Sequence, residues 1–337
     1  MRDRISIITI GLSPAWDITC RGRNIDWGLH REIDEQTVRP AGKALNVSKA
    51  LAWMGQRNIA AGLCGRDDHP QMLAAVRALW PSIRVKLTAV AGRTRQNVTV
   101  VDSAKNKEMH LRNKSRLASA KTLKKLQADL EKIVHKGSIC VLAGTMPDCG
   151  LLGEVIRIVE FCKSRRAKIV LDTSGRPLKE IVDTGSIRLI KPNVEELCEL
   201  LGEQVKDGPI SLAKAGRRLL DKVEIVLISR GAKGGIVVTK DGAWQGRCTG
   251  RAEVFSTVGC GDFMLAGFLK ALEDGSGTGA ALETAIKVAT ARAWGWTEES
   301  PCRGYPLDQL GAGSAHDSRA GRPRHLQSSI KVQVRRI

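Results

Sequence analysis

The chain has 337 residues and a mass of 36.6 kDa, with 42% hydrophobic and 26% charged residues, which supplies a sizeable core and excludes wholesale disorder or a fibrous architecture. Its 54 Lys+Arg against 35 Asp+Glu give a net charge of +19, which invites an anionic partner. Aromatics at 4%, with one Tyr, weaken any stacking platform for single-stranded nucleic acid.

In chain order, Ile5–Ile10 reads as a buried strand. It stops at Gly11-Leu12-Ser13-Pro14, too short for a signal peptide or a membrane span. Residues 12–40 and 88–112 are rich in Thr, Val, Arg and turn formers without a helical period, and are expected to form strands of a lid projecting from the main body. Leu123, Leu126, Leu130 and Ile133 space one helix face, closed by His135-Lys136-Gly137. Strands follow at Ile139–Ala143, Lys168–Leu171, Ile187–Ile190 and Glu224–Ile228, alternating with helices through Leu151, Leu152, Val155 and Val159 and over Glu195–Leu201, which ends at Gly202. That alternation predicts an α/β fold with a mostly parallel sheet covered on both faces, binding ligands at the carboxyl ends of its strands. The main body is expected to span 1–310, and the Gly-, Ser- and Arg-rich stretch 311–337 reads as a basic, flexible tail. Nine cysteines without a C-x-x-C pair read as small buried thiols of a reducing compartment, and the protein is expected to be cytoplasmic.

Common nucleotide motifs are absent: Gly42-Lys43 lacks the rest of a Walker A loop, and Gly275–Gly279 lacks the context of a dinucleotide fingerprint. The most informative stretch is Ser256-Thr257-Val258-Gly259-Cys260-Gly261-Asp262, where an apolar helix begins at once with Phe263, Met264 and Leu265. Glycine lets a ligand approach the backbone, and a helix start offers free N–H groups and a positive dipole end to an anion. Asp262 is then a carboxylate beside a phosphate site, placed to accept a hydroxyl proton; a plain helix cap is the alternative.

This stretch resembles the D-T-V-G-A-G-D signature of the ribokinase-like (PfkB) carbohydrate kinases, in the phosphofructokinase and tagatose-6-phosphate kinase branch, with Ser256 and Cys260 as departures. Four further segments resemble the family's motifs in order. Ser13–Asp17 is similar to N-P-A-x-D, and Ala41–Val47 to G-G-K-G-x-N-V with Ala41 and Ala44 in place of glycines. Lys191–Leu197 matches K-P-N-x-x-E-L, and Ser229–Gly235 is similar to S-x-G-x-x-G. The resemblance implies a three-layer α/β/α sandwich with a small β-strand lid, and ATP and Mg²⁺ as cofactors. It implies Asp262 as catalytic base, with Gly259, Cys260 and Gly261 forming the anion hole. Asp17, Gly42, Lys43, Asn46 and Thr145 are implied to contact the sugar. Lys191, Asn193, Ser229, Gly231 and Gly234 would serve the nucleotide, and Glu196 would organise Mg²⁺ through water.

Thr94-Arg95-Gln96-Asn97 resembles the T-R-x-N of the branch that phosphorylates sugars already carrying a phosphate, and Arg95 with Arg112 is implied to grip that phosphate. The expected reaction is phosphorylation of a ketohexose phosphate, foremost fructose 1-phosphate to the 1,6-bisphosphate. Fructose 6-phosphate, tagatose 6-phosphate, and an unphosphorylated sugar or nucleoside are the alternative acceptors. A catalytically inactive sugar-phosphate sensor or nucleic-acid binder is the reading from another class, and is disfavoured. No membrane partner is expected, and a homodimer through the lid strands is.

Overall fold

The structure, a computed structural model, describes residues 6–250, 253–296 and 330–337. From the N-terminus, β1 (Ile7–Gly11) leads into two strands of a separate sheet, β2 (Ala15–Gly22) and β3 (Glu35–Ala41), and then into α1 (Lys43–Trp53). The chain continues through β4 (Asn58–Gly65), α2 (His69–Leu79) and β5 (Ile83–Val90), returns to the separate sheet as β6 (Arg95–Asp102) and β7 (Lys107–Arg112), and enters α3 (Ala120–Leu130). Alternation then takes over with β8 (Ile139–Ala143), α4 (Leu152–Ser164), β9 (Lys168–Asp172), α5 (Gly175–Asp183), β10 (Ile187–Ile190), α6 (Val194–Leu201) and α7 (Pro209–Arg217). An antiparallel run of β11 (Val223–Ser229), β12 (Gly235–Thr239) and β13 (Gly242–Cys248) precedes α8 (Cys260–Glu273), α9 (Thr278–Ala293) and β14 (Val332–Arg336).

The main sheet has the order β14-β13-β12-β11-β10-β9-β8-β1-β4-β5 and is parallel from β11 to β5. Its central strands are apolar on both faces because helices cover both. On β8, Cys140 and Leu142 join a core with Leu126 of α3, Val155 of α4, Leu178 of α5, Leu197 of α6 and Leu212 of α7. Ile139, Val141 and Ala143 point the other way, into a core with Val47 of α1, Phe268 of α8 and Ala285 of α9. Period-2 alternation divides the sequence between two helical layers, which is the expected three-layer sandwich.

The second sheet, ordered β3-β2-β6-β7, is the lid. Its inner and outer faces differ in chemistry. One rung runs Arg39–Asp17–Asn97–Arg112, and the next rung on that face runs Thr37–Thr19–Thr99–His110. The opposite face carries Val38–Ile18–Val98–Leu111. Directly paired residues share a face, so one side of the lid is polar and the other apolar. The expected lid stretch 88–112 begins too early, since residues 88–90 complete β5 in the main sheet, where Val90 is buried.

Asp68 ties the roots of the lid to the body. It accepts from Trp16 Nε1 at 2.5 Å and from the Thr94 backbone N–H at 2.8 Å, on strands β2 and just ahead of β6. Gly65 lies against this junction, where a Cβ would come within 2.4 Å of Thr94 N.

The end of the chain departs from the expected flexible tail. Residues 332–336 pair antiparallel with β13, from Trp244↔Arg336 to Cys248↔Val332. Val332 and Val334 pack beside α9, and Arg336 covers the Trp244 ring at 5.5 Å, so alternation within a short basic segment suffices to dock it on an open sheet edge. The rest of the expected tail lies outside the described residues.

Candidate active site

The carboxyl ends of β1, β8, β9, β10 and β11, the start of α1 and the start of α8 converge beneath the lid. Gly259 caps α8 with φ 81°, a left-handed conformation that favours glycine, and it directs the first turn of the helix, Cys260-Gly261-Asp262, into this space. Asp262 is 4% exposed, and Asn46 of α1 donates from Nδ2 to its Oδ2 at 2.8 Å. Burial raises the Asp262 pKa to about 6, helped by the nearby negative charge of Asp172 and opposed by the Asn46 hydrogen bond and by Lys43 and Lys191. A carboxyl with that acidity beside a helix N-terminus is suited to take a proton near neutral pH.

Asp172, at the end of β9, was not singled out by the sequence. It is fully buried and holds two ammonium groups on one oxygen: Lys43 Nζ at 3.3 Å and Lys191 Nζ at 3.2 Å. Its other oxygen, Oδ2, has no hydrogen-bond partner among the described residues. Burial works against its charged form, but the two lysines outweigh burial and hold the carboxyl below its ordinary range. Burial likewise opposes the Lys43 charge, yet Asp172, Asp262 and Glu196 together keep its pKa above the ordinary lysine value. Lys191 Nζ lies 3.2 Å from where a Cβ would stand on Gly261, so both Lys191 and the open backbone of the α8 start face one small volume. Two cations and a row of amides thus line one space next to the buried Asp262 carboxylate, an arrangement suited to an anion.

Glycine at Gly42 is required by conformation: its φ is 120°, and a Cβ there would press on Pro14 at 3.3 Å. The departures at Ala41 and Ala44 carry no such demand. Ala41 ends β3 and Ala44 lies in the first turn of α1, neither with a positive φ, so the helix start forms without the extra glycines.

Asn193 and Glu196 are engaged with each other. The Asn193 side chain accepts from Glu196 N at 2.8 Å, and the Glu196 carboxylate accepts from Asn193 N at 2.9 Å, a reciprocal cap at the start of α6. Glu196 nevertheless contributes to the field on Lys43, which places it near that space. Ser229 ends β11, where its N–H donates to Pro192 O at 3.0 Å. Gly231 and Gly234 shape the following turn, and at Gly234, with φ 83°, a Cβ would stand 2.1 Å from Gly246 O. Thr145 is exposed in the loop after β8.

On the lid, Asn97 Nδ2 donates to Asp17 Oδ1 at 2.7 Å. Arg95 is heavily committed: Nε donates to Pro14 O, Nη1 to Asn113 O and Asn97 Oδ1, and Nη2 to Ser13 O. Partial burial lowers its pKa, with Asp17 opposing and Arg112 reinforcing that effect. The sites singled out from sequence thus gather in two groups, Asp262, Asn46, Lys43 and Lys191 in the body, and Asp17, Arg95, Asn97 and Arg112 on the lid. Asp172 and Asp68 are the additions.

Among the described residues no group of three or more His, Cys, Asp and Glu side chains could enclose a metal ion. The residues present fit Mg²⁺ only in the manner usual for that ion with nucleotides, through one or two carboxylates, water and the phosphates themselves. No helix among the described residues is long and apolar enough to cross a membrane.

Comparison with known proteins places the chain in a family. The sequence profile of the pfkB family carbohydrate kinases matches residues 10–300. The 1-phosphofructokinase of Vibrio cholerae is 26% identical over 261 residues, 77% of this chain and 81% of that protein. The 1-phosphofructokinase of Xanthomonas campestris is 28% identical over 291 residues, 85% of this chain and 89% of that protein. Among solved structures, the fold is similar to that of Escherichia coli phosphofructokinase-2 in complex with fructose-6-phosphate, with a TM-score of 0.79, 21% identity, and coverage of 86% of this chain and 93% of that one.

Proposed function

Because the chain belongs to the pfkB family of carbohydrate kinases, we propose that it transfers the γ-phosphoryl group of ATP to a hydroxyl of a phosphorylated ketohexose, foremost fructose 1-phosphate. The observation that carries the reading is Asp262: a buried carboxylate with a pKa of about 6, oriented by Asn46 and set at the N-terminus of α8 beside two lysines.

Above that pKa Asp262 is ionised and takes the proton of the acceptor hydroxyl as its oxygen attacks phosphorus. Lys43 and Lys191 lie where charge builds on the transferring group, and the amides of Gly259, Cys260 and Gly261 add N–H donors there. Phosphoryl transfer of this kind is mostly positioning and charge neutralisation, which is what these groups supply. Asp17 and Asn46 orient sugar hydroxyls, while Arg112 and the remaining Nη2 hydrogen of Arg95 meet the phosphate that the sugar already carries. Ser229, Gly231 and Gly234 border the nucleotide with their backbone, and Asn193 acts by fixing the start of α6. Glu196 is the carboxylate placed to hold Mg²⁺ through water. When bound, that ion neutralises phosphate charge.

The apolar outer face of the lid, with Val38 and Leu111 each 52% exposed and Met109 41% exposed, is best covered by the same face of a second copy, giving a homodimer. Acceptor identity is tested by coupled ADP detection with fructose 1-phosphate, fructose 6-phosphate, tagatose 6-phosphate and fructose side by side. Turnover confined to unphosphorylated fructose removes the reading.

A further inference from the structure

The turn after β11 carries two cations that the sequence motifs do not mark, Arg230 and Lys233, and one carboxylate from another part of the chain takes up both. Asp207 lies in the loop between α6 and α7. Its Oδ1 accepts from Arg230 Nε at 2.8 Å and its Oδ2 from Lys233 Nζ at 2.5 Å, while Arg230 Nη2 donates to the Asp207 backbone O at 3.4 Å. The bonds from Lys233 and Arg230 hold the Asp207 carboxyl below its ordinary range. The Arg230 side chain is 6% exposed and that of Lys233 is 65% exposed, so Arg230 is the cation that would be left buried without its partner. Neither cation has a second ion-pair partner among the described residues, and Glu203, in the same loop as Asp207, is taken up by Arg218.

The turn itself has little to fix its shape. Gly231 and Gly234 both have positive φ, which glycine enters and leaves freely, and Gly231, Ala232 and Lys233 are exposed. Its internal bonds are short-range: Arg230 N–H donates to Gly234 O at 2.9 Å, Lys233 N–H to Arg230 O at 3.1 Å and Gly234 N–H to Gly231 O at 3.0 Å. Tethers to the body come from α6 and the loop behind it. At the start of α6, Asn193 pairs with Ser229 in a parallel bridge. Past its end, Asp207 grips Arg230. The same segment thus touches the turn twice, once through the backbone and once through a charged pair.

We propose that Asp207 is a positioning residue for the nucleotide, which fixes the Ser229–Gly234 turn by holding Arg230. This rests on the nucleotide part of the reading above. Arg230 and Lys233 spend their charge on Asp207, which leaves the backbone of Ser229, Gly231 and Gly234 to border the nucleotide. Freeing Lys233 would act in the opposite direction, by adding a cation near the triphosphate, and the experiment separates the two effects.

The test is steady-state kinetics with ATP and fructose 1-phosphate on the full chain and on Asp207→Asn, Asp207→Glu, Arg230→Gln and the Asp207→Asn/Arg230→Gln double variant. Calorimetric titration with Mg·ADP and urea unfolding accompany each. Loss of the charge-assisted hold should raise the KM for ATP and the Kd for ADP about tenfold in Asp207→Asn. The KM for fructose 1-phosphate, and kcat at saturating ATP, should stay within about twofold of wild type. Arg230→Gln should behave alike, the double variant should be no worse than either single one because both remove one contact, and Asp207→Glu should recover part of the affinity. An ATP KM within about twofold of wild type in Asp207→Asn overturns the proposal, as does a fall in that KM. An equal rise in both KM values, which marks a general loosening, also overturns it, and so do additive effects of the two single changes. Should Asp207→Asn fail to fold, Arg230→Lys decides, since an ammonium cannot make the paired contact with Asp207 Oδ1 and O: an unaltered ATP KM in that folded variant overturns the proposal too. A wild-type chain that binds ADP but phosphorylates no phosphosugar removes the acceptor reading and leaves Asp207 to be judged by the ADP titration, whereas one that binds no ADP removes both.

Discussion

Replacing Asp262 by Asn should abolish catalysis and yet make the fold more stable. Asp262 is 4% exposed and its pKa in the folded protein is about 6, against an ordinary value of 3.8. Between those values the folded state binds a proton that the unfolded state has lost, so stability falls as pH rises through this window. Above pH 6 the ionised carboxylate therefore costs the fold about 3 kcal/mol, at 1.36 kcal/mol per pH unit. Asn keeps the contact with Asn46 but adds an amide N–H without an assured partner, at a cost of about 1–2 kcal/mol. A net gain of about 1–2 kcal/mol at pH 7.5 follows, shrinking toward zero or reversing below pH 4, where the wild-type carboxyl is protonated in both states. Urea unfolding of wild type and Asp262→Asn at pH 7.5 and pH 4 measures it. A variant less stable than wild type at pH 7.5 would refute the reasoning, because it would mean that the buried carboxylate is favourably held in its charged form.

Asp172→Asn should move the acid limb of the kcat profile, set near pH 6 by Asp262, down by about one pH unit, since Asp172 raises the Asp262 pKa and its removal also leaves Lys43 and Lys191 without their shared counter-charge. The same variant should lose about 3–5 kcal/mol of stability in urea unfolding, because Lys191 is buried; an unmoved acid limb in a folded sample contradicts the coupling. Asp68→Ala removes both bonds at the lid roots, to Trp16 and Thr94, and should raise the KM for the sugar severalfold while the KM for ATP changes little. Gly234→Ala forces a Cβ to 2.1 Å from Gly246 O and should lower stability by about 3 kcal/mol or more, visible as a depressed urea midpoint, and should weaken ATP binding.

The parallel body was legible because its strands and helices follow periodicity that local sequence imposes. Ile139–Ala143 and Ile187–Ile190 coincide with β8 and β10, and Gly202 ends α6 with φ 70°. The helix built on Leu123, Leu126 and Leu130 stops at Leu130, and Ile133 packs on the same core from the following turn, because a hydrophobic spacing does not tell a helix from a turn that continues its stripe. β14 escaped notice because Arg335 and Arg336 dominate the composition there, while the two valines that dock it are separated by one residue and take their meaning only from the open edge of β13.

In the site, residues carried by contiguous motifs were found and those assembled by topology were not. Asp262 and Asn46 are 216 positions apart and meet because α1 and α8 lie side by side on one face of the sheet. Asp172 sits in an ordinary-looking strand end, and its importance comes from Lys43 and Lys191, delivered by α1 and by the end of the neighbouring β10. Asn193 and Glu196 show the converse: a motif marks them, and the local geometry first accounts for them as a helix cap.

ATP turnover with fructose 1-phosphate, by wild type and by Asp262→Asn in parallel, tests the central claim most directly. The geometry predicts stoichiometric ADP and a ketohexose bisphosphate from wild type, with kcat reduced about a hundredfold to ten-thousandfold in the folded variant. Near-normal turnover by Asp262→Asn, or no turnover by wild type with any phosphorylated ketohexose, would contradict it.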